Sequence, residues 1–222
     1  MFYSFTKAVV LALFKVVGHL KVIGSERVPR TGGAILAANH TSYADPPVMG
    51  VSTPRAIRFM AKSELFKNSV FAAVIRALGA FPVKRGTADR QALRTAHDIL
   101  TSGQLLVIFF EGGRSPDGKL QSPELGTAMI ALRANVPIVP VALINADHLL
   151  PRHAKALHWS HVTAVFGEPL TFPHLAGKAG DRAALQEVST AIARSVADLM
   201  RTHGAAERVP DGYLVEGATD EH

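Results

Sequence analysis

Leu105-Leu106-Val107-Ile108-Phe109-Phe110-Glu111-Gly112-Gly113-Arg114-Ser115 is the stretch that decides the fold class. Its first six residues are apolar without alternation, the pattern of a strand buried on both faces. A strand of that kind needs helices above and below it. Similar short apolar runs read as strands at 21–23, 34–38, 57–61, 81–84, 138–143 and 162–166. Helical spacing falls between them, at 43–50, 69–78, 88–101, 124–134 and 182–200. Strands and helices in alternation predict one α/β domain: a mixed, mostly parallel sheet of about seven strands flanked by helices.

The chain has 222 residues and no cysteine. That length suits one well-buried domain. The missing cysteine excludes a catalytic thiolate, a disulfide framework and any thiolate metal site. The formal net charge is +6. From Glu207 onward, Arg208 stands against Glu207, Asp211, Glu216, Asp220 and Glu221, so the preceding chain is more basic still. A basic body suits an anionic partner such as phospholipid headgroups or a phosphorylated substrate. No basic-aromatic stripe or nucleic-acid motif is present, so nucleic acid is not expected.

Phe2, Phe5, Val9, Leu13 and Val16 recur at three- and four-residue steps, with Lys7, Lys15 and Lys21 nearby. Residues 1–20 therefore read as an amphipathic helix. It either lies in a membrane interface or packs on the protein's own core. The apolar run at 8–14 is far below the roughly twenty residues a spanning helix needs. The expected division is this helix, a domain over 21–206 and an acidic, mobile tail over 207–222.

The candidate chemistry follows the strands. Asn39-His40-Thr41-Ser42-Tyr43-Ala44-Asp45-Pro46 succeeds the run at 34–38, and ligands in such sheets bind beyond strand carboxyl ends. His40 can accept a proton near neutral pH, and one tight turn returns the Asp45 carboxylate to it. A lone pair at this spacing is more often a turn residue and a helix cap. No Gly-x-Ser-x-Gly nucleophile is present, so a substrate hydroxyl would take that place. Gly112 and Gly113 let backbone amides approach an anion, and Arg114 suits phosphate, although an ordinary turn reads the same way. Glu111 positions Arg114 or holds the loop. Lys84 and Arg85 end another strand, and Arg85 is the better candidate to face the site. Val136-Pro137-Ile138-Val139-Pro140 carries no reactive group and reads as core or as an acyl-channel wall.

Taken together, the four blocks resemble the glycerolipid acyltransferase family, in particular the 1-acyl-sn-glycerol-3-phosphate acyltransferases. Asn39, His40 and Asp45 match Asn-His-x-x-x-x-Asp, and Gly79 to Arg85 match a strand ending in a phosphate-binding arginine. Glu111 to Ser115 match Glu-Gly-Thr-Arg-Ser, with Gly113 in place of threonine. Val136, Pro137, Ile138 and Pro140 match a hydrophobic Val-Pro-Ile-x-Pro segment. The resemblance implies that His40 is a general base oriented by Asp45, and that Arg85, Glu111, Gly112, Gly113 and Arg114 bind the acceptor phosphate. It implies an acyl thioester donor on coenzyme A or acyl carrier protein, a lysophosphatidic acid-type acceptor and phosphatidic acid as product. No metal and no redox cofactor is implied. The N-terminal helix would hold the enzyme, peripheral or monotopic, on an anionic membrane surface at the cytoplasmic face of the cell membrane.

Two features depart from the family pattern. The lysines usually found after the third motif are replaced by Pro123-Glu124-Leu125-Gly126, and Gly113 removes a hydroxyl donor. The rival readings are an acyltransferase for another lysophospholipid or a glycolipid, a catalytically silent membrane-surface lipid-binding module, and a hydrolase in which water replaces the acceptor. His148, His153, His158 and His161 match no familiar zinc spacing and suit a surface near anionic headgroups.

Overall fold

The computed structural model describes residues 12, 14–84, 89–154 and 156–213, without the side chains of Val70, Phe71 and Val74. The first elements are β1 (Lys21–Ile23), β2 (Ala34–Ala38), α1 (Asp45–Ser52), β3 (Ile57–Lys62), α2 (Ser69–Ala77) and β4 (Ala80–Val83). They are followed by α3 (Arg90–Thr101), β5 (Leu105–Phe109), α4 (Gly126–Ala134), β6 (Ile138–Ile144), α5 (Ala146–Leu149), β7 (Thr163–Phe166) and α6 (Arg182–Thr202). The strands form one seven-stranded sheet in the order β1-β7-β6-β2-β5-β3-β4. The ladders among β6, β2, β5, β3 and β4 are parallel, β7 runs antiparallel to β6, and β1 is parallel to β7. The α/β class and the mixed, mostly parallel sheet are those expected.

Strand geometry sends successive side chains to opposite faces. On β2, Ile35 and Ala37 join Ala96 and Leu100 of α3 and Val188 and Ile192 of α6. Ala34, Leu36 and Ala38 face the other way, onto Val48 and Met49 of α1 and Leu149 of α5. Both faces are thus covered, which is why the central strands read as unbroken apolar runs.

Two parts of the chain depart from expectation or escape description. Helix α5 was not foreseen; Asn145 enters it in a left-handed conformation, with φ at 63°. Residues 206–213, where the mobile tail was expected to begin, instead pack on the domain. Arg208 is buried and donates to the Asp147 carboxylate at 2.9 Å, and the Tyr213 hydroxyl donates to the Gln121 carbonyl at 2.8 Å. Most of the N-terminal helix (1–11 and 13) and the end of the tail (214–222) lie outside the described residues. Among the described residues no helix is long and apolar enough to cross a membrane.

Candidate active site

The four strands β6, β2, β5 and β3 are neighbours in the sheet, and each contributes at its carboxyl end. Beyond β2, the Asn39 side chain extends the ladder to β6, accepting from the Leu143 amide at 2.7 Å and donating to the Leu143 carbonyl at 3.0 Å. His40 follows directly. Its Nδ1 lies 2.7 Å from Asp45 Oδ2, which also accepts from the Thr41 and Ser42 amides at 2.7 and 2.8 Å. Helix α1 opens at Asp45 with prolines next, so its first turn offers few amides of its own, and Asp45 reaches back to the amides before it. That backward reach explains the spacing of five between His40 and Asp45. Both groups are buried: Asp45 is 0% exposed and His40 6%. Asp45 Oδ2 accepts in all three contacts, with Nδ1 as the ring donor to it, so Nε2 is the ring nitrogen left free of Asp45. Phe109 stacks on the imidazole with centroids 4.0 Å apart, which fixes the ring plane.

Glu111 follows β5 and serves the loop rather than a ligand. Its Oε2 accepts from the His40 amide at 2.5 Å and its Oε1 from the Gln121 amide at 2.8 Å. The Ser115 amide donates to the His40 carbonyl at 2.7 Å, so the two site loops are sewn together twice. Burial pushes the Glu111 carboxyl up to about 8, and the Asp45 charge adds to it, against the pull of the two amides. Both Glu111 oxygens are thus engaged by backbone amides, the loop-holding arrangement that the sequence allowed.

Gly112 and Gly113 differ in kind. Gly112 has φ at +71°, and a Cβ there would sit 2.9 Å from Glu124 Cγ, whereas a Cβ on Gly113 would meet nothing within 4 Å. Gly112→Ala is expected to destabilise the fold by about 1–2 kcal/mol, the cost of a left-handed residue with a Cβ. Gly113→Ala is expected to stabilise it by about 0.4–1 kcal/mol through the unfolded chain. Thermal melting of the two variants beside the parent measures both shifts, and their opposite signs are the test.

The imidazole opens on a cleft of about 320 Å³, with Phe59, Met60 and Phe109 on its apolar side and Lys62, Arg114 and Arg152 as its cations. The Arg114 guanidinium lies 3.6 Å over the Tyr43 ring, and its Nη1 is buried with no hydrogen-bond partner among the described residues. Lys62 ends β3, and Arg152 sits two residues beyond Leu150, whose carbonyl accepts from Ser42 Oγ at 2.8 Å. That bond ties the loop after β6 to the catalytic loop. The motif reading missed Lys62 and Arg152: Lys62 is the last residue of β3, and Arg152, in the turn after α5, gives no sequence signal. Arg85 lies outside the described residues.

Val136, Pro137, Ile138 and Pro140 line neither this cleft nor its neighbour. Ile138 is fully buried in the core, and the Pro140 carbonyl accepts from the Gly167 amide at 2.8 Å. The β3–β5 ladder ends at the pair Phe59–Val107, although both strands continue. Beyond that pair, Met60 and Phe109 border both the cleft and an apolar hollow of about 270 Å³ walled by Leu93, Phe110 and Met129. Among the described residues no group of three or more His, Asp or Glu is arranged to hold a metal ion.

The chain is similar to known proteins in sequence and fold. The family model described as Acyltransferase matches residues 19–144. The 1-acyl-sn-glycerol-3-phosphate acyltransferase of Bacillus subtilis (strain 168) is 30% identical over 182 residues, spanning 79% of this chain and 87% of that protein. A protein of the same description from Streptococcus pneumoniae (strain ATCC BAA-255 / R6) is 33% identical over 144 residues, spanning 64% of this chain and 53% of its own length. The crystal structure of the 1-acyl-sn-glycerophosphate (LPA) acyltransferase PlsC from Thermotoga maritima superposes with a TM-score of 0.64 at 29% identity, covering 87% of this chain and 80% of that one. With the family model spanning more than half its length, this chain belongs to the acyltransferase family.

Proposed function

We propose that the protein transfers a fatty acyl chain from an acyl thioester to the free hydroxyl of 1-acyl-sn-glycerol-3-phosphate, giving phosphatidic acid. The observation that carries this reading is a buried His40–Asp45 pair facing a cleft ringed by Lys62, Arg114 and Arg152. Among the described residues the lining of that cleft includes no serine or threonine, and the chain has no cysteine, to act as an enzyme nucleophile. The acceptor hydroxyl then attacks the thioester carbonyl directly while His40 Nε2 takes its proton. Asp45 keeps Nδ1 protonated and faces the positive charge the ring gains. Collapse of the tetrahedral intermediate breaks the carbon–sulfur bond, and the imidazolium returns its proton to the leaving thiolate. Proton transfer and acyl substitution of this kind call for no metal and no redox cofactor. Coenzyme A or acyl carrier protein serves only as the donor's carrier.

The three cations suit a phosphate monoester, and Arg114 has a donor to spare. Lys62 and Arg152 supply the charge that Glu124 and its neighbours do not. The hollow past Met60 and Phe109 offers an acyl chain an apolar wall. The enzyme would work peripherally at the cytoplasmic face of the cell membrane, where acyl thioesters and anionic lipid meet.

Free-thiol release from palmitoyl-coenzyme A, with and without lysophosphatidic acid, tests the reading. Release that depends on the acceptor supports it, whereas release without acceptor makes the protein a hydrolase. Arg114→Ala is expected to raise KM for lysophosphatidic acid about tenfold or more with a smaller change in kcat, since a charge-assisted bond is worth about 1.5–3 kcal/mol. An equal KM effect on a lysophospholipid lacking the monoester would refute the phosphate assignment.

A further inference from the structure

A second surface lies at the same end of the sheet as the catalytic cleft. Strand β7 runs against β6, pairing Thr163 with Ile144, and β1 pairs Lys21 with Thr163 in parallel. The segments that lead into β1 and β7 therefore emerge where β6 ends, at the end of the sheet that also carries His40. They are joined to each other, the Ser160 amide donating to the Val17 carbonyl at 3.1 Å and the Val162 amide to the Gly18 carbonyl at 2.8 Å. They are also joined to the site: the His158 amide donates to the Leu149 carbonyl at 2.8 Å, and the next carbonyl, that of Leu150, accepts from Ser42 Oγ.

This surface exposes what folding alone would hide. Trp159 is 71% exposed and Val16 60%. The His19 ring stands between the two segments, its centroid 5.8 Å from Trp159 and 4.8 Å from His161. Lys15 and Lys21 are exposed on the first segment. Residues 14–22 and 148–163 contain no aspartate or glutamate. A tryptophan with an apolar neighbour, set among cations and with no acid in either segment, matches the interface of an anionic bilayer, where indole rings settle at headgroup depth.

We infer that Trp159 and Val16, with Lys15, Lys21, His19 and His161 around them, form the contact by which the protein seats its cleft against an anionic lipid bilayer. The inference rests on the lipid-substrate reading above. A lipid acceptor has to leave the bilayer headgroup first, and a cleft flanked by this surface meets it without crossing water.

Trp159 is the chain's single tryptophan, so its emission reports on this surface alone. The full-length protein is titrated with vesicles of phosphatidylcholine alone or mixed with phosphatidylglycerol, without either substrate. With phosphatidylglycerol present, emission is expected to move to shorter wavelength and to be quenched by lipids brominated on their acyl chains. Trp159→Ala is expected to weaken co-sedimentation with these vesicles about fivefold or more, as lost buried apolar area requires, and Lys15→Gln with Lys21→Gln to erase the preference for phosphatidylglycerol. Sedimentation with unshifted emission would mean that another face binds, and sedimentation with neither vesicle would remove the surface altogether. Transfer to a short-chain, monomeric lysophosphatidic acid in the absence of vesicles tests the chemistry separately, so either idea can fail without the other.

Discussion

His40→Ala is expected to lower kcat about 10³-fold or more, with KM for the acceptor little changed. General base catalysis contributes about 10²- to 10⁴-fold, and among the described residues lining this cleft there is no second histidine and no carboxylate to share the task. KM is expected to hold because, in the proposed mechanism, Arg114, Lys62 and Arg152 take the phosphate and His40 meets only the reacting hydroxyl. Circular dichroism and vesicle binding should match the parent, since the clamps on the loop run through the backbone of residue 40 and survive the substitution. Asp45→Asn gives the sharper control. Its remaining oxygen can accept from the Thr41 and Ser42 amides, yet it no longer requires the Nδ1 tautomer, so Nε2 can carry the proton and cease to act as a base. Its kcat is expected to fall about 10²-fold or more with the fold intact. A His40→Ala variant that kept its rate would end the assignment of the base.

The fold was legible because its signal is local. Runs such as 34–38 and 105–110 contain their own evidence of burial, and each became a strand within a residue or so. The dyad was legible for the same reason: five residues separate His40 from Asp45, and one helix start closes the distance. The remaining site residues act through contacts that sequence does not display. Glu111 answers the His40 amide across 71 positions and the Gln121 amide across ten, so its place in a phosphate-like motif said nothing of which way its oxygens point. Lys62, at the end of β3, and Arg152, in the turn after α5, reach the cleft from separate parts of the chain and belong to no motif. Val136 to Pro140 read equally as core or channel wall because apolar residues line both; Ile138 to Pro140 are buried in the ladder to β2, with a bridge from Ile138 to Leu170. Composition gives the tail no sign of anchorage, yet Arg208 meets Asp147, Asn145 and His148, sixty or more residues back in the chain.

Glu111 carries the second large expectation. Glu111→Ala leaves the buried His40 and Gln121 amides without acceptors, each at about 1–3 kcal/mol, so a loss of about 2–6 kcal/mol in unfolding free energy is expected from urea titration. Glu111→Gln keeps one acceptor oxygen and turns an amino group on the other donor, so its loss is about half as large. The pH dependence has a definite sign. In the unfolded chain the carboxyl titrates near 4.5, and in the folded protein burial raises it to about 8. Between those values only the folded state keeps the proton, so the contribution of Glu111 is complete below 4.5 and is lost as pH rises towards 8. The stability gap between the parent and Glu111→Gln should therefore shrink from about pH 5 to about pH 8; a constant gap would mean that Glu111 titrates alike in both states. The catalytic consequence separates a clamp from a phosphate ligand. Without its anchor the His40 loop shifts, and a displacement of about 1 Å at the base can cost about 10²-fold in kcat. A phosphate contact would instead raise KM and leave kcat alone. Steady-state kinetics on Glu111→Gln, the milder variant, decides between them, and the two backbone amides already at its oxygens predict the fall in kcat.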